Sequence, residues 1–211
     1  MIDSCHHAVH SAAWGEHTDV VELLLDYGFS IEAVGISGET PLISVCSVTY
    51  IRSAAVVDCL LRRGADVTAR GRSGDTALHR AVWLSTPDTV KSLIAAGSDV
   101  EARNNAGATP LIGLPANPRA GIRHLEPLNI LLAAGAEINA RDKRGRNTLH
   151  MLDRPFMDEK CKIEFAKVLL ERGVDVNARD RDGATPLGRL LQNMPYHKAF
   201  AEFLVVHGAV E

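Results

Sequence analysis

A short pattern recurs six times along this 211-residue chain, and no other feature restricts its fold as strongly. The copies read HAVH, TPLI, TALH, TPLI, NTLH and TPLG, and they start at residues 7, 40, 76, 109, 147 and 185. Successive copies are therefore 33, 36, 33, 38 and 38 residues apart. A unit of this length cannot bury its apolar side alone, so the spacing predicts an array of stacked units.

A second pattern, an apolar stretch that ends in glycine, follows each copy of the first. The stretches are VELLLDYG (21–28), VDCLLRRG (57–64), VKSLIAAG (90–97), LNILLAAG (128–135), AKVLLERG (166–173) and AEFLVVHG (201–208). Apolar residues at i, i+3 and i+4 line one helical face, and a glycine readily ends a helix in the left-handed conformation. Threonine before proline in TPL is typical of a helix start. Each unit is therefore predicted to hold two helices.

Turns and cores follow from the same patterns. A second set of glycines is predicted to turn the chain between units: Gly38, Gly74, Gly107, Gly145 and Gly183. The leucine that lies four residues before each closing glycine is predicted to be buried between neighbouring units: Leu24, Leu60, Leu93, Leu131, Leu169 and Leu204. The alanine pair Ala12–Ala13 lets the first helix approach its neighbours closely.

A third string, GADVTAR at 64–70, returns as GSDVEAR, GAEINAR and GVDVNAR. Together the strings resemble the ankyrin repeat from about Ser4 to Val210. The resemblance implies an all-α solenoid of about six helix–turn–helix repeats with short hairpin-like arms, in one domain (1–211). The approximate repeats are 4–34, 35–70, 71–103, 104–141, 142–179 and 180–211. The sequence begins and ends on repeat boundaries, as expected of a self-contained array, and a segment of a longer protein would read the same way.

The resemblance also implies a function, which is to bind a partner protein or peptide in a concave groove, as an adaptor, an inhibitor or a recruiting arm. Partners of such arrays meet the arm tips and the exposed side of the first helices. Trp14 and Trp83, the chain's two tryptophans, occupy the first position after the alanine-pair slot of their repeats, which the resemblance places facing the groove, and tryptophan is enriched at interface hot spots. The predicted partner-binding residues are Trp14, Ile36, Glu39, Arg72, Asp75, Trp83, Leu84, Lys143, Arg144, Arg146, Arg154 and Arg181. The alternative is that both tryptophans pack beneath a neighbouring arm as core.

Charge is distributed unevenly along the chain. Residues 1–51 hold seven carboxylates and no lysine or arginine, whereas RDKRGR at 141–146 holds four basic residues and one acid. This asymmetry predicts an electrically polarised molecule whose fifth and sixth repeats favour an acidic partner surface. The alternative is that both stretches are ordinary solvated faces.

Three kinds of chemistry are weaker alternatives. His150 and Asp153 suggest an unorthodox enzyme with a groove pocket, but no serine or cysteine nucleophile accompanies them. His6 and His10 have a zinc-compatible i, i+4 spacing, but the resemblance gives His10 a structural role, which is to tie neighbouring turns together as His79 and His150 do. The basic stretch 141–146 lacks the interleaved aromatics of nucleic-acid binders. We therefore expect no catalytic residue, cofactor, metal or nucleic acid.

Composition points to the environment of the protein. No apolar run reaches the ~18 residues that span a bilayer, and the first residues do not read as a signal peptide. The cysteines Cys5, Cys46, Cys59 and Cys161 form no CxxC pair and have apolar neighbours, which suits buried thiols in a reducing compartment. We expect a cytoplasmic or nuclear monomer that contacts no membrane.

The spacing of 38 residues in the second half implies insertions between the first and second helices. Segment 112–127 contains Pro115, Pro118 and Pro127, so the first helix of repeat four should be short and end near Leu114. Segment 152–164 is compatible with a longer helix or a loop. Each insertion is either neutral drift, since surface insertions cost little, or an edge of the binding surface.

Overall fold

Every regular element that the structure describes is helical. The structure is a computed structural model that describes residues 7–47, 54–84, 86–116, 125–153, 157–193 and 197–211, without the side chains of Leu84 and Ala116. The chain divides into two compact units, Met1–Asn105 (unit 1) and Ala106–Glu211 (unit 2). The single domain over 1–211 stays a prediction.

Unit 1 is built from helix pairs. Its helices are α1 (Ala8–Trp14), α2 (Thr18–Asp26), α3 (Pro41–Cys46), α4 (Ala55–Arg62), α5 (Ala77–Leu84) and α6 (Pro87–Ala95). The first helices α1, α3 and α5 pack in sequence, and so do the second helices α2, α4 and α6. This arrangement confirms the predicted helix–turn–helix units in the first half of the chain.

Unit 2 contains shorter and less regular first helices. Its elements are α7 (Pro110–Gly113), the 3-10 helix Leu114–Ala116, α8 (Leu125–Ala133), the 3-10 helix Thr148–Asp153, α9 (Glu159–Glu171), α10 (Pro186–Asn193) and α11 (Lys198–Val206). The 3-10 helix Thr148–Asp153 packs against α7, α9 and α10, and α11 packs against α9 and α10. None of the helices in the described part of the chain is long and apolar enough to cross a membrane.

Side-chain caps start the first helices where the sequence predicted them. The threonine hydroxyl oxygens accept backbone N–H hydrogen bonds as follows: Thr40 from Ile43 at 3.4 Å, Thr109 from Ile112 at 3.4 Å and Thr185 from Gly188 at 3.1 Å. Such caps satisfy donors that have no partner inside the helix, typically stabilising it by ~1 kcal/mol.

Glycines close the second helices and turn the arms. Eleven of them have φ between 74° and 92°: Gly28, Gly38, Gly64, Gly74, Gly97, Gly107, Gly135, Gly145, Gly173, Gly183 and Gly208. These are the two sets predicted from the repeats. At Gly74 the positive φ is joined by a close approach, because a Cβ there would lie 2.5 Å from Oδ1 of Asn105.

Histidines tie adjacent turns together, as the resemblance implied. The Nε2 of His10 lies 3.0 Å from the carbonyl oxygen of Glu39, and the Nε2 of His150 lies 3.2 Å from that of Ala184. Each contact spans two successive repeats. His79 bonds within its own turn, where Nδ1 lies 2.9 Å from Oγ1 of Thr76.

The predicted core leucines are buried with one exception. Leu60, Leu93, Leu131, Leu169 and Leu204 are at most 1% exposed. Leu24 is only half-buried, so that prediction is wrong. In the described part of unit 1, α2 packs against α1 and α4, and this packing leaves Leu24 partly exposed. A single neighbouring second helix does not by itself account for this, because α11 also packs against one, α9, and Leu204 is buried.

The cysteines that the structure describes are buried free thiols. These are Cys46, Cys59 and Cys161, whereas Cys5 lies outside the described residues. Burial raises the pKa of Cys46 to about 12. The pKa of Cys59 is raised mainly by burial and to a lesser extent by the nearby Glu22 carboxylate. These thiols are therefore poor nucleophiles.

The two insertions differ in form. In the first, α7 ends at Gly113 and one 3-10 turn follows, which confirms the predicted short helix, while residues 117–124 lie outside the described ones. In the second, the Asp158 carboxylate caps α9 by accepting the N–H of Cys161 at 2.8 Å, and α9 runs for 13 residues. Part of the extra length in repeat five thus lengthens the second helix.

Candidate functional site

The arms of unit 1 are tight turns closed by backbone hydrogen bonds. In the first arm the N–H of Gly35 donates to the Glu39 carbonyl at 3.0 Å, and in the second the N–H of Gly71 donates to the Asp75 carbonyl at 3.0 Å. The Arg72 guanidinium donates to the carbonyl of Ile36 at 2.7 Å, which links the two arm tips. The arms are therefore braced against each other.

Two predicted arm-tip residues face inward. Glu39 and Asp75 are each 9% exposed, and Arg80 of α5 reaches both carboxylates, at 3.0 Å from Glu39 and 3.3 Å from Asp75. Their predicted contact with a partner stays a prediction, and in this structure a guanidinium inside the unit already compensates their charge. Their role in the structure is to anchor the bases of both arms to the first helix of repeat three.

Two other predicted arm residues of unit 1 are exposed. Ile36 is 80% exposed, which is unusual for a large apolar side chain that serves no contact. Arg72 is exposed beside it. Both side chains are open to a partner, and their predicted contact with one stays a prediction.

The two tryptophans have different surroundings. Trp14 is 53% exposed at the end of α1, which argues against a core role for this ring. Trp83 is half-buried in α5. The Leu84 side chain lies outside the described residues, so its predicted contact is not placed.

The basic arm residues of unit 2 fall into two groups. Lys143, Arg144 and Arg181 are exposed. Arg146 instead donates two hydrogen bonds to the buried Asp142 carboxylate, at 2.9 and 2.7 Å. The Arg146 guanidinium therefore stabilises the arm from within. Arg154 lies outside the described residues.

One arm anchor in unit 2 was missed by sequence reasoning. Arg189 of α10 donates to Asp180 at 2.6 Å and also pairs with Asp182. Burial alone would raise the pKa of Asp180, but hydrogen bonds from Arg189 and the Ala184 N–H lower it. Arg189 and Arg80 occupy the same position in TPLGR and TALHR, so the repeated arginine was the signal that could have revealed both.

His150 is held on both ring nitrogens. Its Nδ1 lies 2.7 Å from Oδ1 of Asn147 and its Nε2 faces the Ala184 carbonyl, while the residue is 1% exposed. Burial lowers the pKa of His150. Asp153 accepts a hydrogen bond from Asn193 at 2.8 Å. These contacts are those of structural residues.

Other chemistry finds little support in the described residues. They contain no group of three or more His, Cys, Asp or Glu side chains that could hold a metal ion, and His6 lies outside them. A cavity of about 350 Å³ in unit 2 is lined by Ala184, Thr185, Gly188, Leu191, Gln192 and Glu211. Neither His150 nor Asp153 lines this cavity.

Unit 2 also contains a buried lysine that no sequence pattern predicted. Lys162 of α9 is fully buried, and its Nζ has no hydrogen-bond partner among the described residues. Burial lowers the pKa of Lys162 to about 8, against the opposing attraction of Asp153, Glu159 and Asp158. An unpaired buried ammonium group destabilises the surrounding packing.

Comparison with known families agrees with the geometry of unit 1. The family model for ankyrin repeats matches residues 9–104, in three copies. The match therefore covers the helix pairs from α1 to α6, and it ends at the boundary of unit 1.

Proposed function

Because the chain is an ankyrin-repeat protein, and such repeats are generally protein–protein interaction modules, we propose that it binds a partner protein or peptide through its arm tips and the exposed side of its first helices. The specific partner is decided by the surface residues, since such arrays vary their surface over a constant frame. The role is that of an adaptor, an inhibitor or a recruiting arm.

The observation that carries the proposal is the pairing of exposed apolar anchors with braced arms in unit 1. Trp14 and Ile36 are 53% and 80% exposed, although both are large apolar side chains. Arg80 holds the bases of the two arms through Glu39 and Asp75. Rigid surroundings lower the entropic cost of binding, so anchors on such a frame suit recognition.

Unit 2 contributes a second, charged contact region. Lys143, Arg144 and Arg181 are exposed, and none of them is in a salt bridge in the described residues. An acidic stretch of the partner fits these side chains, because complementary charge speeds association. The compartment that suits buried free thiols is the cytoplasm or the nucleus.

The enzymatic alternative gains no support from the geometry. Ankyrin-repeat proteins are typically not enzymes, and the two ring nitrogens of His150 are occupied by Asn147 and Ala184. A general base must reach the proton that it abstracts. We therefore do not propose a reaction at His150 and Asp153.

The test compares what wild type and three variants of the full chain capture from a cell extract. Trp14→Ala and Ile36→Ala each remove an exposed anchor, and Tyr27→Ala is the matched control, since Tyr27 is 77% exposed but lies outside the proposed surface. A partner that wild type and the control retain should be lost or reduced with the anchor variants. Its affinity for each anchor variant should fall by about 2 kcal/mol, roughly thirtyfold.

Thermal melting of the same variants separates loss of contact from loss of fold. Because Trp14 is exposed, Trp14→Ala should melt within a few degrees of wild type. Equal capture of one partner by wild type and all three variants, or a Trp14→Ala variant that unfolds far below wild type, would contradict the proposal.

A further inference from the structure

Two second helices expose large apolar side chains outside the proposed partner surface. The first set, the α2 outer face, consists of Val20, Leu23 and Tyr27, which are 39%, 54% and 77% exposed. The second set, the α11 outer face, consists of Val205 and Val206, which are 55% and 81% exposed. Soluble proteins rarely expose several large apolar side chains side by side, so these two faces require an explanation.

The α2 outer face matches positions that are covered in other repeats. Alignment on the closing glycines places Val20 at the position of Val56 and Leu23 at that of Cys59, and both equivalents are 0% exposed. The α4 positions are covered because α2 lies against them, with Sγ of Cys59 at 3.6 Å from the Glu22 carboxylate. The α2 outer face is thus the surface on which a preceding second helix packs.

The α11 outer face corresponds to the other side of a junction between two successive second helices. Val205 aligns with five residues that are all partly buried in their own helices: Leu25, Leu61, Ile94, Leu132 and Leu170. Only Val205 of this set is exposed. The α11 outer face is therefore of the kind that packs against a following second helix.

The α2–α4 junction shows which residues would meet. There the Arg63 guanidinium donates to the Asp26 carboxylate at 2.5 Å. The equivalent of Asp26 on α11 is Val206, and the equivalent of Arg63 on α2 is Tyr27. Placing the two outer faces together in the same register sets an exposed valine against an exposed tyrosine, so an apolar pair replaces the ion pair.

Charge is compatible with this contact but does not drive it. The Arg62–Glu22 pair of the internal junction becomes Asp26 opposite Glu202. Asp26 is already paired with Arg63 of its own unit, which reduces the repulsion. Because the pairing is apolar with weak like-charge repulsion, added salt should strengthen it.

We propose that the α11 outer face of one copy binds the α2 outer face of a second copy. Such a contact is heterologous, so each dimer still offers one free face of each kind and association continues with concentration. The monomer expected from the sequence is then the state at low concentration only.

Complementation between two variants tests the proposal. Leu23→Glu blocks the α2 outer face and leaves the α11 outer face intact, whereas Val206→Glu does the reverse. In sedimentation velocity, wild type should self-associate with rising concentration, and each variant alone should remain monomeric over a range at least roughly tenfold higher. An equimolar mixture should form a single 1:1 dimer and nothing larger, because only one intact pair of faces remains.

The matched control is Ile36→Glu, which changes an exposed apolar residue outside both faces. This control should self-associate like wild type while losing the proposed partner, so the two proposals fail separately. A wild type that is monomeric at every concentration, a mixture that stays monomeric, or a mixture that grows without a fixed stoichiometry would overturn the inference.

Discussion

The first helices of the repeat differ in length and regularity between the two units of this chain. In unit 1 the first helices α1, α3 and α5 span 7, 6 and 8 residues, whereas in unit 2 α7 spans 4 and the first helix of repeat five is a 3-10 helix. The motif copies of unit 1 start 33 and 36 residues apart, and those of unit 2 start 38 and 38 residues apart. The family match likewise covers residues 9–104. The third first helix of unit 2, α10, spans 8 residues and so keeps the length seen in unit 1. The irregular first helices are thus those of repeats four and five, and in repeat five the second helix is also longer.

What the units share shows which parts of the repeat resist change. Both retain threonine caps, left-handed closing glycines and a buried leucine in the second helices α4, α6, α8, α9 and α11. Both also anchor an arm with an arginine from the first helix, Arg80 in unit 1 and Arg189 in unit 2. The frame is therefore common, and the difference lies in the first helices and their following segments.

The largest effect is expected from truncating the shared core. Leu93→Ala in unit 1 and Leu169→Ala in unit 2 each remove a fully buried side chain and should lower the free energy of unfolding by about 2–5 kcal/mol. Leu24→Ala should cost less than half of that, because Leu24 is only half-buried. Urea denaturation followed by circular dichroism measures all three. Equal losses at Leu24 and Leu93 would contradict the account of stacked repeats.

An intermediate effect is expected at the arm anchors. Arg80→Ala leaves two mostly buried carboxylates without their cation and should cost about 1–3 kcal/mol, and Arg189→Ala should cost a similar amount because Asp180 is buried. The control is Arg62→Ala, which breaks an exposed pair with Glu22 and should cost about 0–1 kcal/mol. If all three variants melt alike, the arms are not anchored as described.

A smaller effect, of opposite sign, distinguishes unit 2. Lys162→Met replaces a buried ammonium group, which has no hydrogen-bond partner among the described residues, with an apolar side chain and should raise the free energy of unfolding at pH 7 by about 1–2 kcal/mol. Because the pKa of Lys162 falls to about 8 from its ordinary 10.5, the folded state binds fewer protons than the unfolded state between these values. Wild-type stability should therefore rise as the pH increases through that interval, and the variant should lose this rise.

Hydrogen exchange of peptides from α9 and α11 locates the effect of Lys162. The control is Lys160→Met, which changes an exposed lysine two residues away in the same helix and should keep the pH dependence of wild type. Slower exchange at pH 9 than at pH 7, after correction for the intrinsic rate, is expected in wild type and in Lys160→Met but not in Lys162→Met. A Lys162→Met variant that is less stable than wild type at pH 7 would show that the ammonium group is stabilised by contacts.

The sequence was sufficient for features that depend on local chemistry. The glycine turns, the threonine caps, the short α7 and five of the six core leucines follow from residue type and spacing, and the structure confirms them. Features that depend on distant neighbours were not predictable. Glu39 and Asp75 lie at arm positions where the sequence predicts exposed side chains. Both are nevertheless buried, because they pair with Arg80, which is 41 residues from Glu39. Lys162 has an ordinary helical context, and only the packing of unit 2 buries it.

The candidate surface was predictable only in outline. The position of Trp14 and Ile36 within the repeat was sufficient to predict that their side chains are exposed, because the first-helix ends and arm tips have fixed places in each unit. Arg146 illustrates the limit, since its neighbour Asp142 takes both of its hydrogen bonds whereas the adjacent Arg144 stays exposed. Residue type alone does not distinguish the hydrogen-bonded Arg146 from the exposed Arg144.

The central claim is that a partner contacts the arm tips and first helices, and a hydrogen-exchange footprint tests it most directly. Exchange of the full chain would be measured with and without the partner retained by wild type and lost by Trp14→Ala. The account predicts slower exchange around Trp14 and in the arms at 35–39 and 71–75, with little change in α2, α4 and α6. Protection confined to those second helices, with unchanged arms, would contradict it.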